Sequence, residues 1–352
     1  MNYLISNFKV GELSEVLGIS KASVSEKLKT TSAQVIKSKA DRVVSISPEA
    51  VQDYFVSRGC GAIYQRSHIS IVYSCSGGSS KSTVSQGLFS SARRMKSRKQ
   101  TILNGKTISA ANIFCDVDSQ SSSTISFIGK PQDDDKPVLK NYLNNECSLE
   151  DILIDLGDEN YLIPSSLNNL YIDKILNSVQ ALKNAGTKFI NDLDKKFGQG
   201  YNLTIDSPPA INTFLQTITI AIAQLDSSKY NAYLLSPIRA LDVYGIKGAE
   251  ISISETKDLV KAFNLPEPKI YSFLTMYQRN GKTSVEIMKR VLQNEVIKDT
   301  LLDDVCRYTT EYSKSNLKAS SIYQGSKTTA TEDITNLFLT LIGYQRPEKG
   351  NA

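Results

Sequence analysis

One short stretch, from Gly77 to Thr83, has the means to hold a polyphosphate. Gly77 and Gly78 let the backbone come close and turn its N–H groups inward, Ser79 and Ser80 extend the loop, and Lys81 brings a positive charge that reaches β- and γ-phosphates. Ser82 supplies a hydroxyl for Mg²⁺, with Thr83 behind it. An apolar, β-branched run (Ile69, Ile71, Val72, Tyr73) leads into this loop, and a helix-compatible segment begins at Ser82. Strand, glycine-rich loop, Lys-Ser and helix is the P-loop order, in which the positive end of the helix dipole also faces the phosphates. A polyphosphate with Mg²⁺ is the expected ligand. The common G-x-x-x-x-G-K-[ST] spacing is not met, because Cys75 and Ser80 stand at its glycine positions; the residues fit G-G-x-x-K-[ST]-[ST] instead.

Carboxylates follow at the ends of further strand-like runs. Asp116 and Asp118 come after Ala111 to Cys115, in the segment DVDSQSSST, and Asp206 closes the run YNLTIDSPP from Tyr201 to Pro209. With the loop, these segments resemble the deviant Walker A ATPases of the ParA/MinD family, in their D-x-D-P-Q-x-x-x-T segment and their D-x-P-P Walker B strand. Tyr161 to Ser166 and Phe273 to Arg279 resemble two more strands of that family. The resemblance runs from Ile69 to Arg279. It implies an α/β fold, a P-loop NTPase domain with a mostly parallel sheet flanked by helices, and weak hydrolysis of ATP to ADP and phosphate, stimulated by partner and DNA. It further implies that Lys81 and the loop amides stabilise the leaving phosphate and Ser82 ligates the metal. Asp206 then holds the metal's water shell, while Asp118 positions the attacking water with Asp116 beside it near the metal.

One position departs from the family. Ser76 stands where ParA/MinD proteins have a signature lysine that crosses the dimer interface, and serine has no charge to offer. McdA proteins, which position carboxysomes, share that serine. Lys136 and Lys140, beyond the Asp-rich loop Asp133–Asp135, are the candidates to cross in its place; each is also readable as an ordinary solvated lysine.

Which elements must carry these groups follows from the rest of the chain. At 352 residues, with 40% hydrophobic and 22% charged residues, it has the composition of a soluble globular protein of one large and one small domain. It has no charged-then-apolar leader, and its most apolar run, Phe214 to Leu225, is too short to span a bilayer, so a cytoplasmic protein without membrane contact is expected. Five scattered cysteines without C-x-x-C spacing argue against a disulfide framework, a zinc site or an iron–sulfur cluster. His68 is the only histidine, which leaves a Ser/His/Asp or Cys/His hydrolase resting on one residue just before the loop strand.

Residues 1–62 read as a winged helix-turn-helix domain, ahead of an ATPase domain over 63–352. Leu13, Val16 and Leu17 give one apolar helix face, Gly18 ends that helix, Ser20 caps the next, and Val24 with Leu28 face inward. The second helix then presents Lys21, Ser23, Ser25 and Lys27 to a major groove, and a hairpin around Lys37, Lys39 and Arg42 makes the wing. The longer ParA proteins carry such a domain and repress their own operon with it.

Downstream, the basic run from Arg93 to Lys99 reads as a solvated loop or, alternatively, as a DNA-backbone contact. Leu149 to Leu156 and Leu170 to Phe197 read as helices. The basic tail from Thr283 to Tyr323 corresponds to the family's non-specific DNA surface, with Arg307 nearest to a basic position it uses. The resemblance thus implies a homodimer formed on ATP binding, operator and non-specific DNA as ligands, a ParB-like centromere-binding partner and a nucleoid-associated location. The alternatives are McdA-like cargo positioning and a transcriptional repressor with a degenerate ATPase site.

Overall fold

The computed structural model describes residues 5–30, 35–37, 43–317, 320–324 and 328–344. It begins with α1 (Val10–Leu17) and α2 (Lys21–Thr30), then the antiparallel pair β1 (Val35–Lys37) and β2 (Val43–Ile46), then α3 (Pro48–Phe55). Gly18, at φ 71°, closes α1, and Ser47 caps α3 by accepting from the Ala50 amide at 3.2 Å. Phe8 adds a bridge to Ile46, giving β2 a partner on its other side. Two helices and an antiparallel strand pair therefore stand where the sequence places them. Lys39 and Arg42 lie outside the described residues.

After α4 (Gly61–Gln65) the chain enters β3 (Ser67–Val72), the phosphate loop, and α5 (Lys81–Met95), one residue earlier than the sequence implies. A small antiparallel pair, β4 (Thr101–Leu103) and β5 (Lys106–Ile108), precedes β6 (Asn112–Asp116), α6 (Ser122–Ile128) and α7 (Leu139–Leu143). The predicted helix Leu149–Leu156 is instead a 3-10 turn (Glu150–Ile152) running into an antiparallel hairpin, β7 (Ile154–Gly157) and β8 (Asn160–Ile163). The leucine and isoleucine spacing there satisfies both periods. Gly157, Asp158 and Glu159, all at positive φ, make the turn that decides for strands.

The predicted helix from Leu170 is likewise broken, into a 3-10 turn (Leu167–Tyr171), α8 (Ile172–Ile175) and the long α9 (Val179–Phe197), which Ser178 caps by accepting from the Ala181 amide. Then follow β9 (Asn202–Asp206), α10 (Thr213–Ile222), β10 (Tyr230–Arg239), α11 (Val243–Ala262), β11 (Lys269–Tyr277), α12 (Lys282–Gln293), β12 (Leu301–Arg307), α13 (Thr310–Leu317) and α14 (Thr329–Leu341).

Among the described residues the central sheet has eight strands in the order β12-β11-β10-β3-β9-β6-β8-β7, parallel except for the edge strand β7. Strands buried on both faces read as continuous apolar runs, and β3 is one. Its Ile69 and Ile71 face α9, α10 and α11, while Val72 joins the opposite cluster with Val84 and Leu88 of α5 and Leu337 and Phe338 of α14.

That second cluster also contains Phe8, Leu13, Val16, Leu28, Val51 and Phe55, so the N-terminal segment shares a core with one face of the sheet. Within the basic run Arg93–Lys99, Arg94 does the joining, and the burial of Arg93, Arg94 and Lys96 corrects the reading of the run as a solvated loop. Arg94 is buried, pairs with Glu12 at 2.7 Å, donates to Ser6 O at 2.9 Å, and lies 3.7 Å over the Phe8 ring. Arg93 binds Asp158 at 2.7 Å, and the buried Lys96 donates to the Ala111 and Gly200 carbonyls. Each cation is taken out of solvent because a partner distant in sequence waits for it.

Candidate nucleotide site

Pairing register brings the site residues together. On β9, Asp206 lies opposite Val72 of β3 on one side and Asp116 of β6 on the other, so the phosphate loop and both carboxylates emerge at one carboxyl edge of the sheet. There a pocket of about 490 Å³ is lined by Gly77, Gly78, Ser79, Ser80, Lys81, Ser82 and Thr83, faced by Asp118, Ser122 and Ser126.

Ser80, at the loop's second glycine position, holds φ 70°, the left-handed backbone that glycine would adopt without cost. The motif's shape is thus kept without its residue. Lys81 is buried and its Nζ donates to the Ser76 carbonyl at 3.0 Å; burial lowers its pKa. The loop is tied to α11, since the Cys75 amide donates to Ser252 Oγ at 2.9 Å. It is tied to β11 by Thr275, whose Oγ1 donates to Ser79 O at 3.2 Å.

The carboxylates divide into two roles. Asp206 is fully buried and accepts from Ser85 at 3.1 Å, from Ser123 at 2.7 Å, and from the Ser82 hydroxyl. Burial pushes its pKa up to about 6. Asp116 is raised too, by burial first and by the Asp206 charge second. Asp116 accepts from the Thr124 amide and hydroxyl, both at 2.7 Å, and from the Asp118 amide at 3.2 Å, and it does not line the pocket. These bonds tie the end of β6 to the loop carrying Asp118, with Asp116 directly across from Asp206. Asp118 itself faces the pocket.

A buried carboxylate bonded to a serine hydroxyl at the foot of a phosphate loop is a hard-oxygen donor set, and it fits Mg²⁺. Ser82 and Asp206 are the residues that would hold the ion or its waters; bound there, it would neutralise phosphate charge.

The remaining predicted residues lie elsewhere. Lys136 pairs with Asp133 at 3.6 Å, and Lys140, on α7, with Glu146 at 3.1 Å; neither lines the pocket. Arg307 is partly exposed, and its guanidinium binds Asp333 at 2.6 Å and Glu332 at 2.8 Å, which raises its pKa further. Lys318 of the basic tail lies outside the described residues. Lys21 is exposed, Ser23 and Ser25 are partly so, and Lys27 and Lys37 lie on α2 and β1.

No protein-family model and no curated protein sequence matches the chain. Solved structures do. An ATP complex of a single-residue variant of Cyanothece McdA is similar at a TM-score of 0.61 and 16% identity, over 81% of this chain and 98% of that one. A plasmid partition protein of Borrelia burgdorferi bound to AMPPNP gives 0.55 and 16%, over 78% and 98%. Cobyrinic acid a,c-diamide synthase of Mycobacterium smegmatis with an ATP analog and magnesium gives 0.54 and 16%, over 73% and 92%. The fold is the P-loop NTPase fold that these proteins share.

Sequence reasoning missed Arg239, at the end of β10. Its guanidinium lies against the phosphate loop at Gly78, and the sole sequence signal is an arginine three residues before an aspartate where an apolar run stops.

Proposed function

We propose that the chain is a positioning ATPase that binds Mg-ATP at the Gly77–Thr83 loop, dimerises in that state, associates with DNA, and resets by slow hydrolysis. The observation that carries this reading is the meeting of Lys81, Ser82, Asp118 and Asp206 at one edge of the sheet. Lys81 and the loop amides bind phosphate, Asp118 faces the space where a water would attack, and Asp116 keeps Asp118 in place. Purified protein should turn over Mg-ATP slowly, and Asp118→Ala should abolish turnover while leaving binding. A parent protein that neither binds nor hydrolyses Mg-ATP would defeat the reading, as would turnover that survives Asp118→Ala.

Within that class, cargo positioning of the McdA kind is the favoured role. It is supported by the serine at position 76 and by the higher TM-score to McdA than to the plasmid partition protein. The second reading, partition of a plasmid or replicon with a ParB-like partner, is favoured by the N-terminal helices and hairpin over residues 1–62, which would place Lys21, Ser23, Ser25 and Lys27 on an operator and Lys37, Lys39 and Arg42 near its phosphates. The neighbouring reading frames separate the two: a carboxysome operon supports the first, a small basic ParB-like gene with repeats the second. Protection of the upstream DNA in a footprint tests the operator. A location in the cytoplasm on the nucleoid follows from either role, and no helix among the described residues is long and apolar enough to cross a membrane.

A further inference from the structure

Among the described residues that line the phosphate pocket, Lys81 is the one cation, and the carboxylate of Asp118 opposes it. A magnesium-bound nucleoside triphosphate is still an anion, so this pocket is short of positive charge. Lys81 also has a donor committed to the Ser76 carbonyl.

Arg239 stands on the flank of the loop away from Asp206. Its strand, β10, pairs with β3 and β11, and Arg239 itself lies opposite Thr275, the residue that donates to Ser79 of the loop. A Cβ placed on Gly78 would lie 2.8 Å from Arg239 Nη1 and 3.8 Å from Cζ, so the guanidinium rests against the loop where Gly78 holds φ 67°. Its backbone is equally fixed: a Cβ on Gly245 would come within 2.8 Å of the Arg239 nitrogen.

The guanidinium is not saturated. Nη2 is paired with Asp242, but Nε is buried without a hydrogen-bond partner among the described residues. Asp242 has other bonds to keep: it caps α11, accepting from the Tyr244 amide at 3.0 Å and the Gly245 amide at 3.3 Å. An arginine that is preorganised, singly paired and in contact with a phosphate-binding backbone is suited to a phosphate oxygen, which a planar guanidinium can take through two donors.

We infer that Arg239 is a second phosphate-binding cation of this site, exchanging Asp242 for the bound nucleotide of its own chain on the side where Ser76 brings no charge. This rests on the nucleotide reading of the pocket.

The test is Mg-ATP binding by titration calorimetry with the full chain and with Arg239→Ala, Arg239→Lys and Asp242→Asn, at concentrations where sedimentation shows monomers. Arg239→Ala should weaken binding about tenfold or more, as expected for loss of a charge-assisted hydrogen bond, and Arg239→Lys should restore part of it. Asp242→Asn removes the competitor while keeping a good helix cap, so it should tighten binding. Affinity unchanged in Arg239→Ala overturns the inference, as does an Asp242→Asn that weakens binding in parallel with Arg239→Ala, since that is the signature of a packing role. If Arg239→Ala does not fold, the other two variants decide. A parent that binds no Mg-ATP removes the nucleotide reading and this inference together; a parent that binds, with Arg239→Ala unaffected, removes the arginine alone.

Discussion

A Cβ placed on Gly248 would lie 2.6 Å from the Cβ of Ser76 and 2.7 Å from its amide nitrogen, so α11 and the phosphate loop touch at Gly248. Gly248→Ala should therefore displace the loop. The expected cost is about 1–3 kcal/mol of stability, from overpacking, with a larger fractional loss in Mg-ATP affinity than any substitution on the solvent face of α11. Chemical denaturation and nucleotide titration on the same variant check both. A variant with parental affinity would show that the loop is free of α11.

Lys81 and Asp118 should separate binding from chemistry. Lys81→Ala removes the loop's cation and should lose most Mg-ATP affinity by calorimetry or filter binding. Asp118→Ala should bind Mg-ATP within a few-fold of the parent and lose turnover. Equal loss of binding in both would mean that Asp118 holds the nucleotide rather than the water.

His68 should make the protein acid-sensitive in a window that one substitution erases. Its Nε2–H donates to Ile63 O at 2.6 Å, Asn231 Nδ2 donates to Nδ1 at 3.2 Å, and burial among Lys96, Arg66 and Lys269 lowers its pKa to about 4. The folded value lies below the unfolded one, near 6.5, so the unfolded chain binds the extra proton. The stabilisation is complete above about pH 6.5 and is lost as pH falls towards 4, by roughly 3 kcal/mol in all. Denaturation curves of the parent and of His68→Gln should diverge in slope across that window, and the single imidazole should be followed directly by NMR. Parallel slopes would sink the prediction.

Arg94 should hold the N-terminal segment. Removing it leaves Glu12 without its cation and the Phe8 ring uncovered, so Arg94→Ala should cost about 3 kcal/mol and open residues 5–30 to limited proteolysis before the rest of the chain. Cleavage that begins in the elements of the eight-stranded sheet would contradict this.

Lys136 and Lys140 should be dispensable for the monomer. Both are ion-paired off the pocket. The double alanine variant should bind Mg-ATP as the parent does; sedimentation with and without ATP would then show whether either crosses to a second copy.

The phosphate loop was legible because its meaning is local: glycines, a lysine and a serine act within one turn of chain. Asp118 and Asp206 were legible for a related reason, each sitting where an apolar run stops. Asp116 looked equivalent to Asp118 in the sequence, and its bonds from Thr124, which Asp118 lacks, depend on a helix that starts beyond the loop. The basic run from Arg93 misled because its partners, Glu12, Asp158 and Gly200, are far away in sequence. Arg239 was invisible on similar grounds, since its neighbour Gly78 sits on another strand's loop. Strand β7 was misread because residues spaced for a helix face also alternate, and a positive-φ turn, not the apolar pattern, settled it; β8 was legible as the strand expected from Tyr161 onward.

Helix α5 begins at Lys81 and ends at Met95, fifteen residues in all, which makes a rod about 22 Å long. Its first turn holds the phosphate-binding lysine and its last turn holds Arg94, clamped to Glu12 and Phe8. The two ends of this lever are therefore the nucleotide's seat and the footing of the N-terminal helices. One unbroken helix therefore joins the lysine of the phosphate loop to the arginine that clamps α1.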